Sequence, residues 1–244
     1  LNLPSPTSPD PEKVKILFDG LAERYDSFNK IASLGLDQLW RKSLIQLLNQ
    51  FELKDKKILD LGTGTGDLIF DCLKNGLGKN HPAFLGIDLS QPMLNKAKKK
   101  LLLYESEACV QLLQANGTRV PCASNQIDFV ISAFLLRNVK KVLKEVLFEI
   151  KRILKPEGKI FLLELVAPEG IFLPILHKIY LKTMLPLVGK TIFKNSWSKD
   201  YLSETILQFG KPEDFSKILK EANFKDVSYI SLTKGMAVIH TASY

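Results

Sequence analysis

Residues 57–67, Lys57-Ile-Leu-Asp-Leu-Gly-Thr-Gly-Thr-Gly-Asp67, constrain the fold of this chain more than any other stretch. Ile58, Leu59 and Leu61 make a short apolar run that reads as a buried strand ending in a glycine-rich turn. Leu68, Ile69, Phe70 and Leu73 then suit a helix opening just past Gly66. Strand, glycine turn and helix N-terminus together form a nucleotide-binding corner, where glycines let backbone approach a ligand that a Cβ would exclude. A dinucleotide fold wants G-x-G-x-x-G, with the helix dipole aimed at a pyrophosphate. Here the pattern is Asp60-x-Gly62-x-Gly64-x-Gly66, followed by Asp67. Carboxylates on both sides of the loop are poor company for a pyrophosphate. They suit a ligand with a zwitterionic end that carries a cation, such as the methionine part of S-adenosylmethionine. On the loop alone, a tight turn that binds nothing competes with this reading.

The next segments extend the signal. Ala83-Phe-Leu-Gly-Ile-Asp88 reads as a strand closing on an acid roughly 20 residues past the loop, where a carboxylate takes ribose hydroxyls in folds of this type. A turn residue at a strand end is the plainer role for Asp88, and the loop upstream favours the ribose role. Ser90 is placed to cap a helix through Met93 and Leu94 to Leu101. A third strand, Val110–Gln114, leads to Asn116, whose short polar side chain can hydrogen-bond an adenine edge. Ile127–Ala133 and Lys159–Glu164 read as the fourth and fifth strands. Between them Val139, Val142, Leu143, Val146, Leu147, Ile150 and Ile153 trace one face of a helix ending near Lys155-Pro-Glu-Gly158. Five strands alternating with helices imply a mostly parallel sheet with right-handed crossovers. Val227–Leu232 and Met236–His240, joined at Lys234-Gly235, pair as a closing hairpin.

The 244 residues suffice for one α/β domain with a substantial core, and no apolar run reaches the ~18 residues of a membrane span. Residues 1–11 carry four prolines and no basic start or apolar core, so they read as a disordered tail rather than a signal peptide. The first residue is Leu1 rather than Met, and whether it is the natural start stays open. Cys72, Cys109 and Cys122 lack metal or redox spacing, which points to a reducing, cytoplasm-like compartment, and with only His81, His177 and His240 scattered along the chain no metal site is expected. The charge of +8 nominates nucleic acid or an anionic membrane surface as partner. Lys96–Lys100 reads as a solvated helix face without the interleaved aromatics of a nucleic-acid site, so no nucleic acid is expected.

Residues 12–50 have helical periodicity and are expected to cap the ligand crevice, with Tyr25 and Asp26 as lid contacts; a helix terminus capped by Asp26 explains the same letters equally well. Residues 168–210 break the strand–helix alternation. The nearly all-apolar Gly170–Val188, with Lys178, Lys182, Lys190 and Lys194, suits either a membrane-surface insert with snorkelling lysines or a buried helix, the latter slightly favoured from composition.

Tyr25-Asp26-x-x-Asn29, Ser33-Leu-Gly35, Trp40, Asp60 to Asp67, Asp88 with Met93-Leu94, Leu136-Arg-Asn-Val139, Arg152-Ile-Leu-Lys-Pro156 and Glu164 together resemble the ubiquinone/menaquinone biosynthesis C-methyltransferases. Tyr201-Leu-x-x-Thr-Ile206 and Gly235-x-Ala-Val-x-His240 extend the resemblance from about residue 12 to the end. It departs at Gly62-Thr63-Gly64 (Ala-Gly-Gly in the family), Asp37-Gln38 (a basic pair led by His) and Glu164-Leu-Val166 (Glu-Phe-Ser).

The resemblance implies a class I, Rossmann-like methyltransferase: a seven-stranded, mostly parallel sheet with helices on both faces and one domain over 12–244. It implies S-adenosylmethionine held by Asp60, Gly62, Thr63, Gly64, Gly66, Asp88 and Asn116, and C-methylation of a prenylated hydroquinone. Arg137 and Asn138 are then expected to orient and stabilise a phenolate, with a water taking the proton, while Tyr25, Asp26 and Tyr201 contact substrate or lid. Tyr201 and His240 are secondary candidates for a base, and an acid such as Asp128 is the structural alternative as partner of Arg137. A prenyl tail implies peripheral contact with an anionic membrane; a homo-oligomer or biosynthetic complex stays open. So do another phenolic or lipid acceptor and a non-catalytic cofactor-binding scaffold.

Overall fold

Three helices precede the first strand in the computed structural model, which describes residues 10–80, 82–104, 108–168, 170, 172–193 and 201–244. They are α1 (Pro11–Leu21), α2 (Tyr25–Ala32) and α3 (Leu36–Leu48). Asp10 caps α1 by accepting from the backbone of Glu12 and Lys13, with Pro11 in the first turn, where a missing N–H costs nothing. Asp10 and Pro11 therefore start the cap rather than ending a tail; the rest of the proposed tail lies outside the described residues.

The strand–helix alternation then runs β1 (Lys57–Leu61), α4 (Asp67–Lys74), β2 (Ala83–Asp88), α5 (Gln91–Leu102), β3 (Cys109–Gln114), β4 (Ile127–Ala133), α6 (Leu143–Ile153) and β5 (Leu154–Leu165). After α7 (Phe172–Phe193), α8 (Tyr201–Leu207) and α9 (Pro212–Glu221), the chain closes with β6 (Lys225–Leu232) and β7 (Ala237–Ser243). The seven strands lie in the order β3-β2-β1-β4-β5-β7-β6, with only β7 antiparallel to its neighbours. β1 is flanked by β2 and β4, so the direction of winding reverses beside it. The crevice at the carboxyl ends of these strands is where an open α/β sheet binds its ligand.

Strand side chains alternate between two cores. Leu59, Val130, Ile160 and Leu162 pack with α6 and α9, whereas Ile58, Phe129, Phe161 and Leu163 pack with α3 and α4. A third core joins α1, α2, α7 and α8 through Leu17, Phe28, Leu181, Leu185 and Tyr201.

Two local expectations change. α6 ends at Ile153, close to Lys155–Gly158 as expected, but β5 starts earlier than its apolar run, at Leu154, which is fully buried and pairs with Ile127 before the register shifts to Phe129–Lys159. Pro156 cannot continue a helix, and a Cβ on Gly158 would lie 2.8 Å from the Lys155 carbonyl oxygen, so the chain turns there. Val139–Val142 likewise stands outside α6, in short 3-10 turns (Leu136–Asn138 and Lys140–Val142) that hold the segment after β4 against the crevice.

The expectation of a buried helix over the apolar insert also fails. In α7 only Leu181, Leu185, Gly189 and Phe193 are buried. Phe172, Ile175, Leu176, Ile179, Met184 and Leu187 are more than half exposed, because one helix packed on one side can hide only one stripe of an all-round apolar sequence. Lys194 lies outside the described residues, as do His81 and Ser198–Asp200.

Candidate functional site

The glycine loop is built by the path of the chain out of β1. Gly62 has φ +71°, and a Cβ there would sit 2.7 Å from Leu135 Cδ1; Gly66 has φ +77° and packs against Ala97 of α5. Thr63 N donates to the Ile87 carbonyl, and Gly64 N to Asp88 Oδ2 at 2.9 Å. Asp88 also accepts from Ser90 N at 2.8 Å, so its carboxylate ties the end of β2 to the loop while each oxygen keeps a second lone pair. Asp60, Gly62, Thr63, Gly64, Asp88 and Asn116 all line one crevice of about 130 Å³; Gly66 lies behind it, at the head of α4. Gly62→Ala should weaken binding of S-adenosylhomocysteine by about tenfold, from a strained φ plus the collision with Leu135, and Leu135→Ala should recover only the collision. Titration calorimetry on the three variants reads this out.

Three carboxylates, Asp60, Asp67 and Asp88, line the crevice beside Lys15 and Arg41. Burial, first, and the neighbouring Asp88 charge push the Asp60 carboxyl up to about 7, against the Thr63 hydroxyl that donates to it at 2.6 Å. Asp67 and Asp88 are also raised, in each case mainly by burial. Such a pocket welcomes an ammonium or sulfonium group.

The cap is pinned to this loop by polar bonds. Thr65 donates to Asp26 Oδ1 at 2.6 Å, and Lys100 pairs with Asp26 at 3.0 Å and also with Asp67. Ser90 donates to Asp19 of α1 at 2.6 Å. Lys96 donates to the Glu23 carbonyl, so Lys96 and Lys100 both hold the cap, which corrects the expectation of a merely solvated lysine face. Asp26 is not among the residues lining the crevice; it is a strut between α2 and the loop. Arg41 of α3 donates to Asp37 at 2.9 Å and to Asp71 at 2.6 Å, and sits on the crevice wall.

Beside the crevice opens a second, larger cavity of about 450 Å³, walled largely by apolar groups of α1, α2, α7 and α8. Phe18, Tyr25, Asn29, Phe134 and Asn138 border both spaces. Phe134 has φ +63°, a strained value for an aromatic residue, and its carbonyl accepts from Arg137 Nη1 at 2.8 Å and from Asn138 Nδ2 at 3.2 Å. Arg137 Nη1 also donates to Glu164 Oε1 at 2.5 Å, and Arg137 N to Glu164 Oε2 at 3.1 Å. Both side chains are buried, Glu164 completely. Burial works against the Arg137 charge, and the Glu164 carboxylate more than offsets it, holding the guanidinium ionised. Asp128, the expected alternative partner, is bonded to Lys155 instead. Tyr201 Oη donates to Asn138 Oδ1 at 3.0 Å, and burial pushes the hydroxyls of Tyr201 and Tyr25 upward.

His240 lines neither space. It lies in the core with Nε2 2.9 Å from the Pro212 carbonyl oxygen and Phe215 edge-on, which removes it as a candidate base. Thr65, Arg41, Phe18 and Phe134 border the site without having been singled out from sequence; only Thr65, inside the glycine loop, carried a local signal.

A Rossmann-like sheet with a glycine loop, buried acids at its strand ends and a capped second cavity is the architecture of class I methyltransferases. The same fold occurs in a solved S-adenosylmethionine-dependent methyltransferase from Thermotoga maritima (TM-score 0.61, 16% identity, 93% of this chain and 98% of that one). The model of the ubiE/COQ5 methyltransferase family matches residues 7–244, and the chain belongs to that family. It is 34% identical over 229 residues (93% of this chain, 86% of the relative) to the ubiquinone/menaquinone biosynthesis C-methyltransferase UbiE of Bartonella quintana. It is also 34% identical over 232 residues (95% and 94%) to the demethylmenaquinone methyltransferase of Protochlamydia amoebophila.

Proposed function

We propose that this protein transfers a methyl group from S-adenosylmethionine to a ring carbon of a prenylated hydroquinone in menaquinone or ubiquinone biosynthesis. The observation that carries the reading is the pairing of an acidic crevice with a large apolar cavity across a shared wall that ends at Arg137 and Asn138. Crevice residues fit the cofactor: glycines clear the approach, Asp60 and Asp67 complement its cationic groups, and the remaining lone pairs of Asp88 suit its ribose hydroxyls. When bound, S-adenosylmethionine supplies a methyl carbon that is already electrophilic.

The chain must then hold a carbon nucleophile in line with it. Ionising a ring hydroxyl raises electron density on the adjacent carbon. A phenol near pKa ~10 needs help at neutral pH, and a buried guanidinium provides it. Because Glu164 already balances the Arg137 charge, Arg137 acts as an oriented donor more than as a bare cation. Asn138, fixed by Tyr201 and Phe134, aligns the same edge of the ring.

Methyl transfer from labelled S-adenosylmethionine, with short-tailed demethylmenaquinol, a demethylated ubiquinol precursor or no acceptor, tests the reading. Label in either quinol is expected. Label in neither, with the cofactor bound, overturns it.

The exposed apolar face of α7 supports peripheral contact with an anionic membrane. Leu176, Ile179 and Met184 belong to that face and also line the cavity, which gives a prenyl tail a continuous apolar path. Among the described residues no helix is long and apolar enough to cross a membrane. Changing Lys178, Lys182 and Lys190 to glutamine should weaken binding to phosphatidylserine-containing vesicles by about 1 kcal/mol per residue, measured by co-sedimentation at low salt. Binding equal to wild type would remove the lysines from the docking face.

A further inference from the structure

The turn between α2 and α3, Ser33-Leu34-Gly35, carries a leucine that folding does not explain. Leu34 has φ +53°, a backbone region that suits Gly or Asn, and its side chain is 81% exposed. The turn is braced rather than loose. Leu34 N donates to the Ile31 carbonyl, Gly35 N to the Lys30 carbonyl, and Ser33 Oγ to buried Asp37 at 2.5 Å. A strained, rigid turn therefore presents an apolar side chain outward, a cost that a function elsewhere must offset.

Leu34 also lines the apolar cavity. A residue that both lines a cavity and is exposed stands at its mouth. Four residues meet both conditions, Leu34 from the turn and Leu176, Ile179 and Met184 from α7, and every other lining residue is buried or half-buried. Tyr180 of α7 donates to the Ala32 carbonyl, so helix and turn are held together at this opening. One exposed leucine is ordinary, but four apolar side chains around a single aperture form a patch that meets something other than water. The charges beside it select the partner. Lys30 of α2 and Lys178, Lys182 and Lys190 of α7 are exposed, and neither residues 30–36 nor α7 contains an acid. Apolar groups flanked by cations alone fit the surface of an anionic bilayer.

Building on the functional reading above, we propose that this mouth is a portal set into the bilayer, with Leu34 and α7 as its two lips. The acceptor enters sideways from the membrane. Its ring passes inward toward Arg137 and Asn138, while the rest of the prenyl tail stays between the lips and in lipid. The α2–α3 turn is thereby a second membrane contact, separate in sequence from α7, and the cap that covers the crevice also carries one side of the acceptor's entrance.

The position of Leu34 is read by a solvent-sensitive fluorophore attached to Leu34→Cys, in a Cys109→Ser, Cys122→Ser background where fully buried Cys72 does not react. Leu103→Cys, an exposed leucine just past α5 that lines neither space, is the control. With phosphatidylserine-containing vesicles, emission from 34 should shift to the blue and brighten, and emission from 103 should not move. No shift at 34, or an equal shift at 103, overturns the portal. A shift at 34 that needs no vesicles and grows with protein concentration puts a second copy of the chain over the mouth, and overturns it too. Leu34→Asn supplies the functional arm, because asparagine accepts this backbone more readily than leucine while removing the apolar lip. Methyl transfer to a long-tailed demethylmenaquinol held in the vesicles should fall about tenfold further than transfer to a short-tailed one in solution. Equal falls reduce Leu34 to cavity wall and overturn the portal. Wild-type protein that binds S-adenosylhomocysteine but methylates neither acceptor overturns the hydroquinone reading, and the fluorescence then still decides whether the mouth meets the bilayer.

Discussion

Arg137→Ala is expected to lower methyl transfer by about 10²–10³-fold, the scale on which a single donor to developing negative charge acts in a buried site. Affinity for S-adenosylhomocysteine should not follow, because Arg137 lines the apolar cavity and not the acidic crevice. The single variant also strands Glu164, completely buried, without its cation, and breaking a buried pair from one side costs about 3–5 kcal/mol. The informative protein is therefore Arg137→Gln combined with Glu164→Gln. Two amides retain hydrogen-bonding capacity and remove both charges, so the double variant should unfold in urea closer to wild type than either single variant does. It should still be inactive. An active double variant would leave Arg137 as half of a structural ion pair. Arg137→Lys should not rescue, since an ammonium that takes over the two bonds of Nη1, to Glu164 and the Phe134 carbonyl, has no second nitrogen to offer a substrate.

The acidic crevice carries a second large effect, on stability against pH. The Asp60 carboxyl titrates near 7 in the folded protein and near 3.8 in the unfolded chain. Between these values the native state keeps a proton that the unfolded chain has released, so raising the pH lowers stability. The loss begins near pH 4 and is complete above about pH 7. Asp67 and Asp88 are displaced the same way and steepen the slope. Asp60→Asn removes the share of Asp60 while leaving an oxygen to accept from Thr63. At pH 8 the variant should be more stable than wild type by about 2–4 kcal/mol, and at pH 4 the two should coincide. Urea unfolding at pH 4, 6 and 8 measures the difference; a constant offset across that range would show that Asp60 does not titrate in the window. The same variant should bind S-adenosylhomocysteine more weakly, the exchange of stability for function expected where a binding site stores buried charge.

Much of this molecule was written locally. The glycine corner, the strands that carry Asp88 and Glu164 near their carboxyl ends, and the β6–β7 hairpin all follow from turn chemistry and apolar periodicity within a dozen residues. The boundaries that moved did so where a neighbouring strand decided the matter. Leu154 pairs with Ile127, so β5 starts earlier than its apolar run suggests, and Val139–Val142 keeps its apolar spacing while folding as turns. The composition of α7 could not reveal its exposure, since an apolar helix looks the same in a core, at a cavity mouth or on a lipid-facing surface.

By itself the sequence determined the strand–helix order, the loop that shapes the crevice and the family to which the chain belongs, because each depends on short-range spacing that survives whatever packs around it. Only the tertiary structure decided that Arg137 finds Glu164, 27 residues away, rather than Asp128. It alone pinned Asp26 to Thr65 and Lys100, took His240 out of the site and set His177 into the cavity wall. Pairing and burial are properties of what lies opposite a side chain, and elements far apart in the chain meet only when the sheet closes them together.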